Sequence, residues 1–375
     1  MPDGDTRVDT PRPSPPEPPV GEPFETAPFE PAQFEPTAHL DVVGSAEPPA
    51  VSVDESAPPV SGAGSRDLAT PKGKARRGDK IFALLTSGAS GFVIVIVVLI
   101  AIFLVAKALP SILDDHVNFL FSNEWDTTPG NLRFGVAGLL WTTVIISIVA
   151  LVIAVPIAVG IALFITQYAP RRFARPIAYV VDLLAAIPSI IYGIWGARIL
   201  APELVPVQNF LSHYLGFIPL FKKELDTGTV FNGAVVLTVM ILPIITAISR
   251  DVFDRTPTAN KEAALALGAT RWEMIRMAVL PHGRAGVISG SMLGLGRALG
   301  ETIAVYLILS KVSNFSWSLF SGGETFASKI ANNAAEFSSA RSTGAYIAAG
   351  LVLFVLTFVV NAIARSIVNR RKEFT

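Results

Sequence analysis

Residues 261–281 read "KEAALALGATRWEMIRMAVLP", a charged, alanine-rich stretch between two segments, about 230–249 and 286–309, that are apolar enough to cross a bilayer. Its local chemistry is that of helix, break, helix. Thr256 with Pro257 behind it suits an N-cap followed by a first helical residue, and "NKEAALAL" is strong helix-forming sequence. Gly268 stands where a left-handed residue is wanted to end a helix. Thr270 and Glu273 have the spacing of a capping box, which starts a second helix, and Pro281 marks the end of that helix near the next apolar run. A short helix this rich in alanine has little bulk, so another protein's backbone could come close to it. On composition alone an amphipathic linker that merely joins two spans fits equally well.

Working outward, the chain is 51% hydrophobic and only 16% charged, with a mean hydropathy of +0.52, too oily for an ordinary soluble protein of 375 residues. The expected fold class is an all-α membrane protein of six transmembrane helices, at about 81–106, 137–166, 176–197, 230–249, 286–309 and 343–366. Pro156, in mid-segment, predicts a kink. Residues 71–375 then form the six-span domain, with a water-exposed loop at 250–285. Residues 1–70 are rich in Pro and Glu and repeat Phe-Glu at Phe24, Phe29 and Phe34. Such composition cannot offset its ordering entropy by burial and predicts a disordered tail. No basic-then-apolar pattern opens the chain, so a cleaved signal peptide is not expected.

Six spans put both termini on one side, and the basic residues say which. One set of flanks carries Lys72, Lys74, Arg76, Arg77 and Lys80, then Arg171, Arg172 and Arg175, then Arg250 to Arg284, then Arg365, Arg370, Arg371 and Lys372. The other is poorer, with Lys107, Arg133, Arg198, Lys222, Lys223, Lys311, Lys329 and Arg341. The richer set faces the cytoplasm by the positive-inside rule, and with it both termini and the loop at 250–285.

Two of the six segments contain charge, and an ionisable side chain near the bilayer centre costs on the order of 3 kcal/mol unless it is turned onto a pathway or partner. Gly290, Gly294, Arg297 and Glu301 step by helical turns and form one stripe. Asp182, Ala186, Ser189 and Gly193 form a second, although Pro188 breaks its register. Facing stripes would gather Asp182, Arg297 and Glu301 in one dry cluster. Arg297 then supplies a forked donor for a travelling oxyanion while Glu301 holds it and offsets its charge. Equally, the pair is a structural lock that sets helix register.

The remaining polar landmarks are plainer. His39, His116, His213 and His282 lack ligand spacing, so no metal site is expected, and the absence of cysteine removes thiolate chemistry. Trp125, Trp141, Trp195, Trp272 and Trp317 lie mostly near span ends, as interfacial anchors do. The outer loop "SGGETFASKIANNAAEF" is glycine-rich and then helical in pattern, suited to meeting a solute-binding protein or to capping the surface. Zero net charge argues for no nucleic-acid partner. No GxxxxGK[ST] phosphate loop occurs, so nucleotide chemistry must come from another chain.

Glu262, Ala263, Ala264, Gly268, Leu280 and Pro281 together resemble the EAA loop of bacterial ABC-importer permeases, with Ala278 where that pattern usually has isoleucine. The resemblance implies that this loop is the coupling helix seated in a groove of a cytoplasmic ATPase. Over about 82–371, "AAIPSIIYGIWG" and "GRALGETIAV" further resemble the third- and fifth-span signatures of PstC-type permeases of phosphate importers. That family implies a type I permease in the bacterial cytoplasmic membrane, with Arg297 and Glu301 at the phosphate path and Asp182 where relatives commonly carry glutamate. It implies a second, PstA-like permease, two ATPase subunits that bind ATP and magnesium, an extracytoplasmic phosphate-binding protein, and no cofactor or enzyme activity in this chain. A permease for sulfate, molybdate or another oxyanion is the alternative within the class. An ATPase-independent secondary transporter or channel is the rival outside it, ahead of a membrane-embedded enzyme.

Overall fold

A computed structural model describes residues 77–370 apart from 129–130, 313 and 338. By its contacts the chain divides at residues 74–75. The described residues all follow that division, and the expected tail at 1–70 lies outside them.

The long apolar runs form helices. These begin with α1 (Arg77–Leu113) and, after the antiparallel pair β1 (Trp125–Asp126) and β2 (Arg133–Phe134), α2 (Ala137–Leu163), which a π-helical turn extends to Tyr168. Next come α3 (Arg171–Ala185), α4 (Ser189–Trp195), α5 (Ala201–Glu203) and α6 (Val205–Leu215). The central helix α7 (Val230–Asp254) leads to α8 (Thr258–Ala266), α9 (Arg271–Met274) and α10 (Leu280–Leu299). The short α11 (Ile303–Ile308) and α12 (Phe326–Asn332) precede the terminal α13 (Ala340–Arg370). Among the described residues four helices are long and apolar enough to cross a membrane, namely α1, the extended α2, α7 and α13, and the bent pair α3 and α4–α5 makes a fifth if counted as one span.

Burial grades these helices from centre to edge. In its most apolar stretch α7 is 61% buried, whereas α1 is 6% buried. Helix α7 starts where the Thr229 hydroxyl accepts the Asn232 N–H at 3.2 Å. It packs on α2 through a stripe on the latter, Ala150, Ala154, Ala158 and Ala162, every member of which is fully buried. Steps of four place these alanines on one face, and their small side chains let two backbones approach where lipid offers no hydrophobic drive for association. On the other side Gly290 and Gly294 of α10 do the same: a Cβ at Gly294 would lie 3.0 Å from Ile245 of α7. Helix α1 rests principally on α13. There a Cβ at Gly344 would meet the Lys107 carbonyl oxygen at 2.9 Å, the Ser111 hydroxyl donates to the Arg341 carbonyl at 3.0 Å, and Arg341 pairs with Asp114 at 2.9 Å.

Two expected segments are broken. At 186–188 the chain turns by 91° between α3 and α4, because Pro188 cannot continue the helix and instead opens the next one. The Tyr192 hydroxyl reaches back to the Leu184 carbonyl at 2.8 Å, satisfying a group freed by the break. The segment at 286–309 also divides, at 300–302, into α10 and α11. The exposed element at 250–285 differs from expectation at its ends. Thr256 does not cap α8, which begins after Pro257, and its hydroxyl is buried without a hydrogen-bond partner among the described residues. Pro281 does not end the second short helix. Instead α9 runs through a π-helical turn at Ile275–Val279 into α10, and Pro281, which has no N–H to give to the preceding turn, falls just after that wider turn.

Candidate functional site

Arg297 lies in the last turn of α10, a position where a cation is favoured by the carbonyl-rich helix end. Gly300 stops the helix three residues later. The i, i+4 relation that would bring Glu301 back over Arg297 is therefore lost. Glu301 turns the other way: it is 9% exposed, and its Oε1 accepts the Ala304 N–H at 3.0 Å, holding the start of α11. Helix α11 in turn packs against α4, where a Cβ at Gly193 would come within 2.9 Å of the Ala304 Cα. No ion pair joins Arg297 to Glu301 among the described residues.

Asp182 is also elsewhere. The α3–α4 bend breaks the stripe on which its proximity to Arg297 depended, and its carboxylate meets Arg250 of α7 at 3.6 Å. The expected three-residue cluster does not form.

Arg297 instead faces a cavity of about 690 Å³ between α7, α10 and α13. Ile244, Met292 and Leu293 give it an apolar wall, and Ser289, Asn361 and Arg365 supply the other polar groups. No carboxylate lines it among the described residues. Such a site carries positive charge beside an apolar wall, an arrangement in which a planar guanidinium can offer paired N–H donors to an oxyanion. Sequence reasoning counted Arg365 only as a flanking charge and passed over Ser289 and Asn361, whose meeting with Arg297 depends on how α13 packs.

The second candidate region is the knob formed by α8 and α9. Ala264 points inward, 9% exposed, against Leu163, Phe253, Ile275 and Val279. Glu262, Ala263 and Gly268 face outward, and Leu267 is 89% exposed. Gly268 has φ +83, which a residue with a Cβ adopts only at a cost. The Gly268 N–H donates to the Leu265 carbonyl at 2.9 Å and the Ala269 N–H to the Ala264 carbonyl at 3.2 Å. These paired bonds close the helix end as a Schellman motif. The capping box of Thr270 and Glu273 is present in full, and the backbone and side-chain bonds from Thr270 hold the Glu273 carboxyl below its ordinary value. Leu280 is half-buried and Pro281 exposed at the base of the knob. Among the described residues no group of three or more His, Cys, Asp or Glu could hold a metal ion.

At the other end of the bundle, Trp125 is not a free anchor. It packs edge-on against Phe134 with centroids 5.9 Å apart, donates to the Tyr346 hydroxyl at 3.3 Å and lies 5.2 Å from the Lys329 ammonium, which pairs with Glu324 at 2.9 Å. The loop read as glycine-rich then helical carries α12, started by Thr325 and Ser328.

A mostly helical bundle with apolar helices long enough to cross a membrane, a broken charged segment and an exposed, tightly capped two-helix knob fits a membrane permease. Residues 154–373 match the family of binding-protein-dependent transport system inner membrane components, and the chain belongs to that family. It is a transport subunit and not an enzyme. By its description, the family serves binding-protein-dependent transport. Among its relatives is phosphate transport system permease protein PstC 2 of Mycobacterium tuberculosis, 56% identical over 299 residues that cover 78% of this chain and 92% of the relative. The PstC proteins of Mycobacterium leprae and Mesorhizobium japonicum are 54% and 41% identical, covering 72% and 78% of this chain and 87% and 90% of theirs. A chain of a bacterial ABC transporter involved in import of the acidic polysaccharide alginate shares the fold, with a TM-score of 0.53 and 17% identity over 78% of this chain and 96% of that one.

Proposed function

We propose that this chain is the PstC-type subunit of an importer for inorganic phosphate in the bacterial cytoplasmic membrane. The observation that carries the reading is the Arg297 cavity: a permanent cation within the bundle whose walls hold no carboxylate among the described residues, in a chain whose relatives are named for phosphate transport. Arg297 is the anion contact. Glu301 fixes the break beside it by holding α11, and Asp182 acts through Arg250 as a strut between α3 and α7.

The bent pair and the broken α10–α11 segment each count as one crossing, giving six spans with both termini and the knob on the cytoplasmic side. The partners are a second, PstA-like permease, two ATPase subunits that bind ATP and magnesium, and an extracytoplasmic phosphate-binding protein. Exposure of Glu262, Ala263 and Gly268 supports the knob as the ATPase contact, with Leu280 and Pro281 passing its motion to α10. Movement of α10 then changes the access of Arg297 to either side. The exposed apolar side chains of the knob, Leu265, Leu267 and Trp272, favour a partner contact over an ATPase-independent transporter.

The test is phosphate uptake by proteoliposomes holding the assembled complex, with and without ATP. The Arg297→Gln variant should copurify with its partners and lose uptake. Undiminished uptake, or uptake independent of ATP, would overturn the reading.

A further inference from the structure

The cavity that holds Arg297 has a second cationic wall, for which a single anion contact gives no reason. Arg365 and Asn361 lie one turn apart on α13 and face the same space as Arg297 and Ser289 of α10. Neither arginine has a carboxylate partner within salt-bridge distance among the described residues. Two guanidinium groups lining one cavity repel each other, with Arg297 half-buried and Arg365 exposed. An oxyanion between them reverses the sign of that interaction, and each planar fork can offer paired N–H donors to it. Phosphate has enough oxygens to accept from both at once. The Asn361 amide and the Ser289 hydroxyl complete a donor-rich wall with no ionised acceptor.

We propose that Arg365 is a second phosphate contact, which shares the ion with Arg297 or receives it from Arg297 on its way out of the cavity. The proposal rests on the reading of Arg297 as the anion contact. Arg365 lies five residues before the end of α13 at Arg370, so an ion moving from Arg297 to Arg365 travels toward the helix end placed on the cytoplasmic side. The same chemistry fits a lipid phosphate lodged between α10 and α13, and the experiment separates the two sources.

The chain contains no cysteine, so Leu293→Cys places a single thiol of this subunit on the cavity wall while keeping both arginines. In the assembled complex, inorganic phosphate should slow its reaction with an anionic thiol reagent by about fivefold or more, and the added Arg365→Gln change should remove most of that protection. The effect should be the same in phosphatidylcholine vesicles with or without anionic phosphatidylglycerol. In uptake assays Arg365→Gln should reduce transport by about tenfold or more with a raised apparent KM, and Arg365→Lys should fall between it and the parent. Protection by the anionic lipid and none by inorganic phosphate would overturn the proposal, as would normal uptake by Arg365→Gln. Loss of uptake in Arg297→Gln alongside normal uptake in Arg365→Gln sinks this inference alone, whereas normal uptake in Arg297→Gln sinks the reading beneath it.

Discussion

Asp182 of α3 and Arg250 of α7 face each other at 3.6 Å, and Arg250 reaches Asp251 at the same distance. The pair ties α3, just before its sharp bend, to the last part of α7, just before α8. One side of the knob is thus braced against the bent segment, by a pair that does not line the Arg297 cavity. The Asp182 side chain is half exposed, so screening by solvent keeps the contact weak.

A double-mutant cycle with Asp182→Asn and Arg250→Gln should therefore give a coupling below about 1 kcal/mol in the thermal unfolding of the solubilised complex. The cycle of Asp182→Asn with Arg297→Gln should be additive. Coupling to Arg297 stronger than to Arg250 would restore the cluster that the α3–α4 bend removes.

Glu301 offers a sharper contrast between chemistry and charge. Its carboxylate accepts the Ala304 N–H, and an amide oxygen can do the same. Glu301→Ala should destabilise the subunit by about 1–2 kcal/mol through a lost cap and a stranded buried N–H, while Glu301→Gln should cost less than about 1 kcal/mol. Equal losses in the two variants, read from melting midpoints, would show that the negative charge and not the cap matters.

At the knob, Glu262→Lys and Leu267→Asp change exposed side chains and should leave the fold intact, with melting shifts within about 0.5 kcal/mol. Both should weaken copurification with the ATPase. Retention of the ATPase at the parental level by both variants would remove the knob from that interface.

Glu273 carries a pH signature. Its carboxyl is depressed, first by the Thr270 backbone N–H and then by the Thr270 hydroxyl, so the capping box lends stability above the unfolded-state value and loses it as pH falls through the depressed one. Carboxyl-resolved NMR should find Glu273 titrating below ordinary glutamates and shifting upward in Thr270→Ala. An ordinary titration in the parent would contradict the capping geometry.

Much of this was legible in the chain because long charge-free runs and end-capping residues act locally. Gly268, Thr270 and Glu273 declare their roles within a few residues of themselves, and the structure finds all three in place. The charged segments were harder. Placing Arg297 and Glu301 on one face assumes an unbroken helix, and Gly300 between them was a quieter signal than the period of the stripe. Arg365 reads as an ordinary flanking charge until α13 lies against α10. Trp125 looks like an interfacial anchor by position alone, whereas its partners Phe134, Lys329 and Tyr346 come together only through folding.

The pairing of α1 with α13 sets a schedule for biosynthesis. Among the described helices α1 is the earliest made, and it finds its main neighbour only when α13 has followed it, their contacts at Ser111 and Arg341 being separated by 230 positions. Until then α1 waits in lipid, or in the keeping of insertion machinery, with almost no intramolecular hold. Truncation anywhere before α13 thus deprives the earliest-made element of its berth, which makes unclaimed α1 a natural mark by which quality control could recognise an unfinished chain.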